Sequence, residues 1–194
     1  MWRSAALALL LVAVPAAAQQ AVPELYPETA EVRPDMPFDL SPEQQNAFDE
    51  FVSPPAYFGA FAASRDGAYG WFYNANDLAT AQDFALNYCE TSRADGPVPR
   101  CVVIATVVPE GFAGPAQGTL RHKAATDLAK LRSSRRYSGK RAMAASGGGA
   151  YGYVYNMPTR KSAEREALYL CERYAKRGTK DLPPAPCNVV WISR

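Results

Sequence analysis

The sequence predicts an α+β fold made of two tandem β-β-α-β repeats, each with one intra-repeat disulfide, packed together as a pseudo-symmetric pair. Two observations predict it. Residues 62–74 and 144–156 align without a gap at a constant offset of 82, and both contain Gly-Ala-Tyr-Gly. The same offset relates Cys89 to Cys171. Self-similarity at a fixed spacing that extends to a cysteine is typical of a duplicated structural unit.

The first repeat begins with a predicted hairpin. Residues 57–63 and 68–74 are strand candidates, joined by a turn that contains Asp and Gly. Asp77 is a suitable N-cap for a helix whose apolar positions follow helical spacing as far as Cys89. A β-branched strand over residues 101–108 closes the repeat.

The second repeat has the same order of elements. Residues 141–145 and 150–156 are strand candidates, and the turn between them is a run of three glycines. Thr159 is the candidate N-cap of a helix that reaches Cys171, and residues 187–192 form the closing strand. We therefore expect the two units to share one topology.

The N-terminus is predicted to be a secretory signal peptide, residues 1–18. It has a basic start at Arg3, an apolar run over residues 5–14 and small residues before a cleavage site after Ala18. The apolar run is shorter than the roughly 20 residues that span a bilayer. We expect a periplasmic or secreted protein with no transmembrane segment after cleavage.

Four cysteines permit three pairings, and export makes disulfides the default. In each repeat one cysteine ends the helix and the other starts the closing strand, which predicts the pairs Cys89–Cys101 and Cys171–Cys187. Each bridge would contribute roughly 3 kcal/mol in the chain-entropy description. A zinc site is the weaker interpretation, because the close C-x-x-C spacing is missing, and no metal or cofactor is expected.

The repeated Gly-Ala-Tyr-Gly, the alanine-rich helix ending in Ala-Leu-x-x-Cys, and Cys-x-Val after it resemble a bacterial secreted domain of unknown function, the one catalogued as number four-one-eight-nine. The resemblance covers residues 55–194 as two copies. The helix of the first copy departs from the pattern at Phe84 and Asn87, and the second copy has a longer proline-bearing loop. The resemblance implies an exported two-cysteine module and assigns no activity.

The segments outside the predicted repeats carry opposite charges. The repeats occupy residues 56–108 and 141–194. Residues 19–55 are predicted to be an acidic, proline-rich arm followed by a short helix that starts at Ser41, and residues 109–140 a linker with a basic helix. Residues 19–50 carry a net charge of −7 and residues 121–141 one of +7. Two interpretations have equal weight: the arm docks on the basic segment, or it is a solvated tail.

No residue constellation requires an enzyme. His122 is the only histidine and has no nucleophile at motif spacing, and G-x-S-x-G is missing. The glycines at 147–149 lack the lysine and helix of a phosphate-binding loop. Three acids of the last helix, Glu164, Glu166 and Glu172, alternate with basic residues and suit a solvated helix face. We assign no catalytic residue; a small hydrolase with an unrecognised site is the alternative.

Two stripes of alternating aromatic residues are the candidate binding residues. Because alternate residues of a strand share a face, the rings in each stripe lie together. They either fill the core or form a platform for a ligand, and core is the favoured interpretation in so small a unit. The stripes consist of Tyr69, Trp71 and Tyr73 in the first repeat and Tyr151, Tyr153 and Tyr155 in the second.

The expected function is that of an exported, non-catalytic interaction module for an unknown protein or an anionic envelope component. The envelope-polymer alternative would use the basic linker, with Arg132, Arg135 and Arg136 as candidate binding residues. Export argues against nucleic acid as a ligand, so none is expected.

Overall fold

The structure, a computed structural model, describes residues 23–53, 56–93, 100–114, 118–178, 182 and 185–194. Over these residues the fold is α+β, with four helices and two antiparallel sheets. The predicted signal peptide lies outside them. In chain order the elements are β1 (Ala30–Pro34), α1 (Pro42–Phe51), β2 (Gly59–Ala63), β3 (Tyr69–Phe72), α2 (Leu78–Thr91), β4 (Val102–Pro109), α3 (His122–Ser133), β5 (Lys140–Ser146), β6 (Tyr151–Met157), α4 (Arg160–Gly178) and β7 (Cys187–Ile192).

The first sheet has the strand order β1-β4-β2-β3. Every residue of β2 is buried, because helices cover both faces of the strand. On one face the ring of Phe61 packs against Phe48 and Phe51 of α1, with centroids 5.3 and 5.6 Å apart. The other face packs against α2, so the sheet is the middle layer of three.

The second sheet has the order β6-β5-β7 and lies between α3 and α4. Alternate residues of β5 serve the two faces. Met143 and Ala145 pack with the buried residues of α3, whereas Ala142 and Ala144 pack with Cys171 and the buried alanines of α4.

The predicted helix starts are confirmed by their caps. At α1, the side chains and backbones of Ser41 and Gln44 form a reciprocal capping box. At α2, Asp77 Oδ1 accepts a hydrogen bond of 2.7 Å from the Thr80 amide. At α4, Thr159 Oγ1 accepts one of 3.1 Å from the Ser162 amide. Each bond satisfies an amide that the helix itself leaves unpaired.

Two disulfides are present, Cys89–Cys101 and Cys171–Cys187, as the sequence predicts. The first joins the last turn of α2 to the residue before β4, and the second joins the interior of α4 to the start of β7, with Cα atoms 6.1 Å apart in both. The expectation that each cysteine ends its helix is therefore wrong for Cys171, because α4 continues to Gly178. Paired cysteines indicate an oxidising compartment. None of the described helices is both long and apolar enough to cross a bilayer.

The described part of the acidic arm lies on the first sheet, which differs from the docking that the charges suggested. Residues 30–34 form β1 and pair antiparallel with β4. Arg33 donates to the Phe112 carbonyl at 2.7 Å. Among the described residues, a hydrogen bond of 3.1 Å joins the carbonyl of Tyr26 to Nδ1 of His122 in the basic segment. Backbone pairing along a sheet edge outweighs exposed charge pairs, each of which contributes only about 0–1 kcal/mol.

The segment predicted as a linker, residues 109–140, contains a helix that packs on the second sheet. The basic helix predicted within residues 109–140 is present as α3, whose buried residues are Ala124, Ala125, Leu128 and Leu131. Arg141 of β5 holds its C-terminus, because Nη1 donates to the carbonyls of Leu131 at 2.7 Å and Ser134 at 3.2 Å. A cation at this end of a helix is favourable. The helix therefore belongs to the second unit.

Candidate functional site

An open cleft of about 730 Å³ lies along the edge strand β6, and the end of β3 approaches it. Its volume is in the range of small-ligand sites, about 300–1,000 Å³. Its walls come from both units and from both faces of β6; the lining residues include Phe72, Tyr73, Asn74, Arg121, Lys123, Asp127, Gly149, Tyr151, Gly152, Tyr153, Tyr155, Leu170, Tyr174 and Ala175.

Asn76 fixes the two units relative to each other beside the cleft. Its backbone N–H donates to Gly147 O at 2.7 Å. Its side-chain amide donates to the carbonyls of Ser146 at 2.8 Å and Ala150 at 3.2 Å. Its Oδ1 accepts from the backbone N–H of Arg121 at 3.2 Å. Asn76 is only 2% exposed, so the loop between β3 and α2, the β5–β6 turn and the start of α3 are held together by one buried residue.

Four tyrosine rings are exposed at the cleft. Tyr73 is 49% exposed, Tyr153 38%, Tyr155 44% and Tyr174 51%. Tyr155 stacks on Tyr137 with ring centroids 4.1 Å apart, which holds its ring in place. An exposed ring with an apolar face and a polar hydroxyl suits ligand contact, particularly when its orientation is already fixed.

A fifth tyrosine of the cleft, Tyr151, belongs to a polar cluster. Tyr151 Oη donates to Asp127 Oδ2 at 2.7 Å, and Lys123 Nζ lies 3.0 Å from the same oxygen. Burial raises the pKa of Tyr151, and its hydrogen bond to the Asp127 carboxylate adds to this. Burial alone would raise the pKa of Asp127, but the hydrogen bonds from Tyr151 and Lys123 lower it below its ordinary value. The carboxylate is therefore ionised and already occupied.

This cluster predicts a pH-dependent contribution to stability. The lowered pKa of Asp127 means that its contribution is fully present above its unfolded pKa, about 3.9, and is lost as the pH falls through the lower folded value. Asp127→Asn should therefore lower the free energy of unfolding at pH 7, and the difference from the wild type should shrink below about pH 4. Urea unfolding between pH 2.5 and 7 measures this; a difference independent of pH would contradict it.

Arg121 supplies a cation with unused hydrogen-bonding capacity. Its guanidinium lies over the Tyr151 ring, 5.4 Å from the centroid. Its Nε is buried and has no hydrogen-bond partner. Buried donors without a partner are rare in folded proteins. Since Asp127 is occupied by two other donors, the cleft offers positive charge from Arg121 to a ligand.

The cleft brings together four of the nine candidate binding residues that the sequence predicts, namely Tyr73, Tyr151, Tyr153 and Tyr155. Tyr69 and Trp71 lie on the first sheet, half-buried beside Phe61. Their ring centroids are 6.2 and 6.0 Å from that of Phe61, and the planes are nearly parallel. The two stripes therefore differ: the first is mostly packing, and the second faces the cleft.

The three predicted arginines do not join the site. Arg132, Arg135 and Arg136 are exposed at the end of α3 and in the turn that follows, and none lines the cleft. Arg121 and Lys123, at the start of α3, do line it. In the sequence, Arg121 and Lys123 contribute to the net charge of residues 121–141 but are not singled out as binding residues. The i,i+4 spacing of Lys123 and Asp127 was the one local signal that could have identified them.

His122 has a structural role at the start of α3. Nδ1 donates to the carbonyl of Tyr26 at 3.1 Å, and the Thr126 hydroxyl lies 3.4 Å from Nε2. The side chain is thus directed toward the arm, and it does not line the cleft. A hydrolase that used this base would need its substrate elsewhere.

Comparison with known proteins identifies no similar protein. No protein-family model, no curated protein and no solved structure matches this chain, so its function has to be inferred from the residues described above.

Proposed function

We propose that this protein is an exported, non-catalytic binding protein whose ligand occupies the cleft along β6. The observation that carries the proposal is the convergence of four exposed tyrosine rings on one cleft, beside the Arg121 guanidinium, whose Nε has no hydrogen-bond partner; the rings are those of Tyr73, Tyr153, Tyr155 and Tyr174. Convergent apolar surface with a few placed polar groups is the usual composition of a binding site.

The rigidity of the cleft supports this proposal. Tyr155 is held by Tyr137, Tyr151 by Asp127, and the β5–β6 turn by Asn76. A site whose side chains are already oriented loses less conformational entropy on binding. The same features support binding more than catalysis, because none of these groups is a nucleophile beside a general base.

The proposal predicts a selective loss of binding in Tyr153→Ala. Truncating a hot-spot ring at the centre of an interface costs more than about 1 kcal/mol, so we expect affinity to fall at least about fivefold. The matched control is Tyr169→Ala, because Tyr169 is 53% exposed on α4 and does not line the cleft.

Two probes test this prediction by NMR titration of tyrosine-labelled protein: an oligouronate, and a decapeptide selected from a display library in which apolar and acidic residues alternate. We expect at least one of them to shift the ring signals of Tyr73, Tyr153 and Tyr155 but not those of Tyr169. Equal affinity of the two alanine variants, or no shift with either probe, would count against a binding cleft.

We also propose that the two units are tandem repeats that pack as a pseudo-symmetric pair. Matching hydrogen bonds support the duplication: the Ser64 amide donates to Ala68 O, and the Ser146 amide to Ala150 O, both at 2.9 Å. Asn74 and Asn156, at equivalent positions, have φ of 62° and 58°. Such similar left-handed backbone is uncommon at residues other than glycine, and a helix precedes each unit and packs on its sheet.

We place the protein in the periplasm or outside the cell. The two disulfides support this location because they persist in oxidising compartments. The sequence pattern of residues 1–18 supports it independently. Peptide mapping of the protein secreted or released from the periplasm would test the cleavage after Ala18.

A further inference from the structure

We infer that the cleft takes an extended peptide segment of a partner protein, which adds as a strand to the free edge of β6 and alternates acidic with apolar residues. This inference rests on the proposed function, since it names the ligand of the same cleft. Among the described residues, β6 pairs with β5 alone and forms the outer strand of its sheet.

The outward backbone groups of β6 can be identified from the register. The Ser146 amide donates to Ala150 O, so this pair is hydrogen-bonded. In an antiparallel pair, hydrogen-bonded and non-hydrogen-bonded residues alternate. Tyr151, opposite Ala145, and Tyr153, opposite Met143, are therefore non-hydrogen-bonded pairs. The N–H and C=O groups of these two tyrosines point away from β5, into the cleft.

The edge of β6 lacks the features that usually prevent strand addition. Edge strands are commonly protected by being short, by proline or by charged side chains. Strand β6 has seven residues, Tyr-Gly-Tyr-Val-Tyr-Asn-Met, with no proline and no charge. By contrast β3, the outer strand of the first sheet on its side, has four residues. At the opposite edge of the first sheet, the N-terminal strand β1 pairs with β4. That edge therefore already accepts an extended segment from elsewhere in the chain.

The cleft wraps around both faces of this edge, which fits an added strand better than a flat ligand. On one face it is lined by Tyr153, Arg121 and Lys123, and on the other by Leu170 and Ala175. Successive side chains of a strand point to opposite faces. A bound peptide would therefore direct every second residue to each wall.

The chemistry of the two walls sets the peptide's pattern. The first wall carries Arg121, Lys123 and Asp127, and because Lys123 is paired with Asp127 its net positive charge comes from Arg121. Carboxylate side chains are therefore complementary to the Arg121 guanidinium. The second wall is apolar and takes aliphatic side chains. A second copy of this chain would bring the same cations to the same face, so charge complementarity favours an acidic partner over self-association.

Proline at position 153 tests the backbone part of this inference. The Tyr153 N–H points outward, so Tyr153→Pro removes the donor to the peptide while leaving the β5–β6 ladder intact. Tyr153→Ala also lacks the ring but keeps the N–H. We expect the proline variant to bind the selected alternating decapeptide at least about tenfold more weakly than the alanine variant. Equal affinity of the two variants would overturn strand addition, and circular dichroism checks that both fold.

Hydrogen exchange provides a readout that does not depend on a substitution. On binding the decapeptide, the amides of Tyr151 and Tyr153 should exchange more slowly, and N-methylation of the peptide at alternate positions should abolish binding. No peptide binder, unprotected amides, or dimerisation in place of binding would overturn the inference. Binding of the oligouronate alone, with shifted tyrosine rings but unprotected amides, would also overturn it and leave the proposed cleft function standing. If neither probe shifts the rings, both fail.

Discussion

Replacing Gly70 and Gly152 together by alanine is expected to lower the free energy of unfolding by about 4 kcal/mol or more. Each glycine lies in a strand against the disulfide-bearing helix, beside the cysteine of that helix. A Cβ added at Gly70 would lie 2.6 Å from Tyr88 Cβ, and one at Gly152 would lie 2.6 Å from the backbone nitrogen of Cys171. Backbone cannot rotate away as a flexible side chain can, so each helix would have to move off its sheet.

The two effects should add, because the glycines belong to different sheets and share no contact. Differential scanning calorimetry should show a melting temperature lower by about 10 °C in the double variant. Gly67→Ala is the control. Gly67 has a φ of +95° but nothing within 4 Å of an added Cβ, so it should cost only about 1–2 kcal/mol of backbone strain. A double variant no less stable than this control would contradict the steric explanation.

Local patterns predicted much of this fold because their physical causes are local. The turn of three glycines, the N-caps Asp77 and Thr159 and the helical spacing of apolar residues each constrain a few neighbouring residues. The disulfide pairs followed from the repeat, since equivalent cysteines of the two copies must have equivalent partners. The close approach at Gly70 and Gly152 was also predictable, because glycine inside a strand commonly marks it.

The features that the sequence did not reveal depend on contacts between distant segments. Strand β1 has the acidic, proline-bearing sequence of a solvated arm, and its pairing with β4 requires that edge to be available. The cleft combines β3, β6, α3 and α4. The tyrosine stripe of β6 is half-exposed and that of β3 mostly packed, although their sequence patterns are alike. Whether each stripe is buried or exposed depends on the elements that pack around its strand. The alternation of residues along the strand carries no information about those elements.

Asn76→Ala is expected to lower the free energy of unfolding by about 2–4 kcal/mol. The substitution removes the side-chain hydrogen bonds to Ser146 O, Ala150 O and the Arg121 amide, at a position that is 2% exposed. Leaving buried polar groups without a partner costs about 1–3 kcal/mol each. The carbonyls of Ser146 and Ala150 keep their hydrogen bonds to the amides of Gly149 and Ser146. The loss of stability should therefore lie toward the low end of the sum for three unpaired groups.

The same substitution should also weaken the coupling between the two units. In the first unit the equivalent turn is held internally, because the Gln44 amide donates to Ser64 O at 2.9 Å and to Ala68 O at 3.0 Å. Gln44→Ala is therefore the matched control, since it removes an amide from a turn without touching the contact between units. It should destabilise the first unit and leave Asn76 in place.

Urea unfolding monitored by tryptophan fluorescence, with Trp71 in the first sheet and Trp191 in the second, separates the two effects. Asn76→Ala should broaden the transition or divide it into two, because cooperativity requires the units to stabilise each other. Asn76→Asp should behave similarly, since it keeps the acceptor for Arg121 but loses both donors and places a carboxylate against two carbonyls. A single transition with unchanged midpoint and slope in Asn76→Ala would show that the units are coupled by other contacts, and that the cleft does not depend on this side chain.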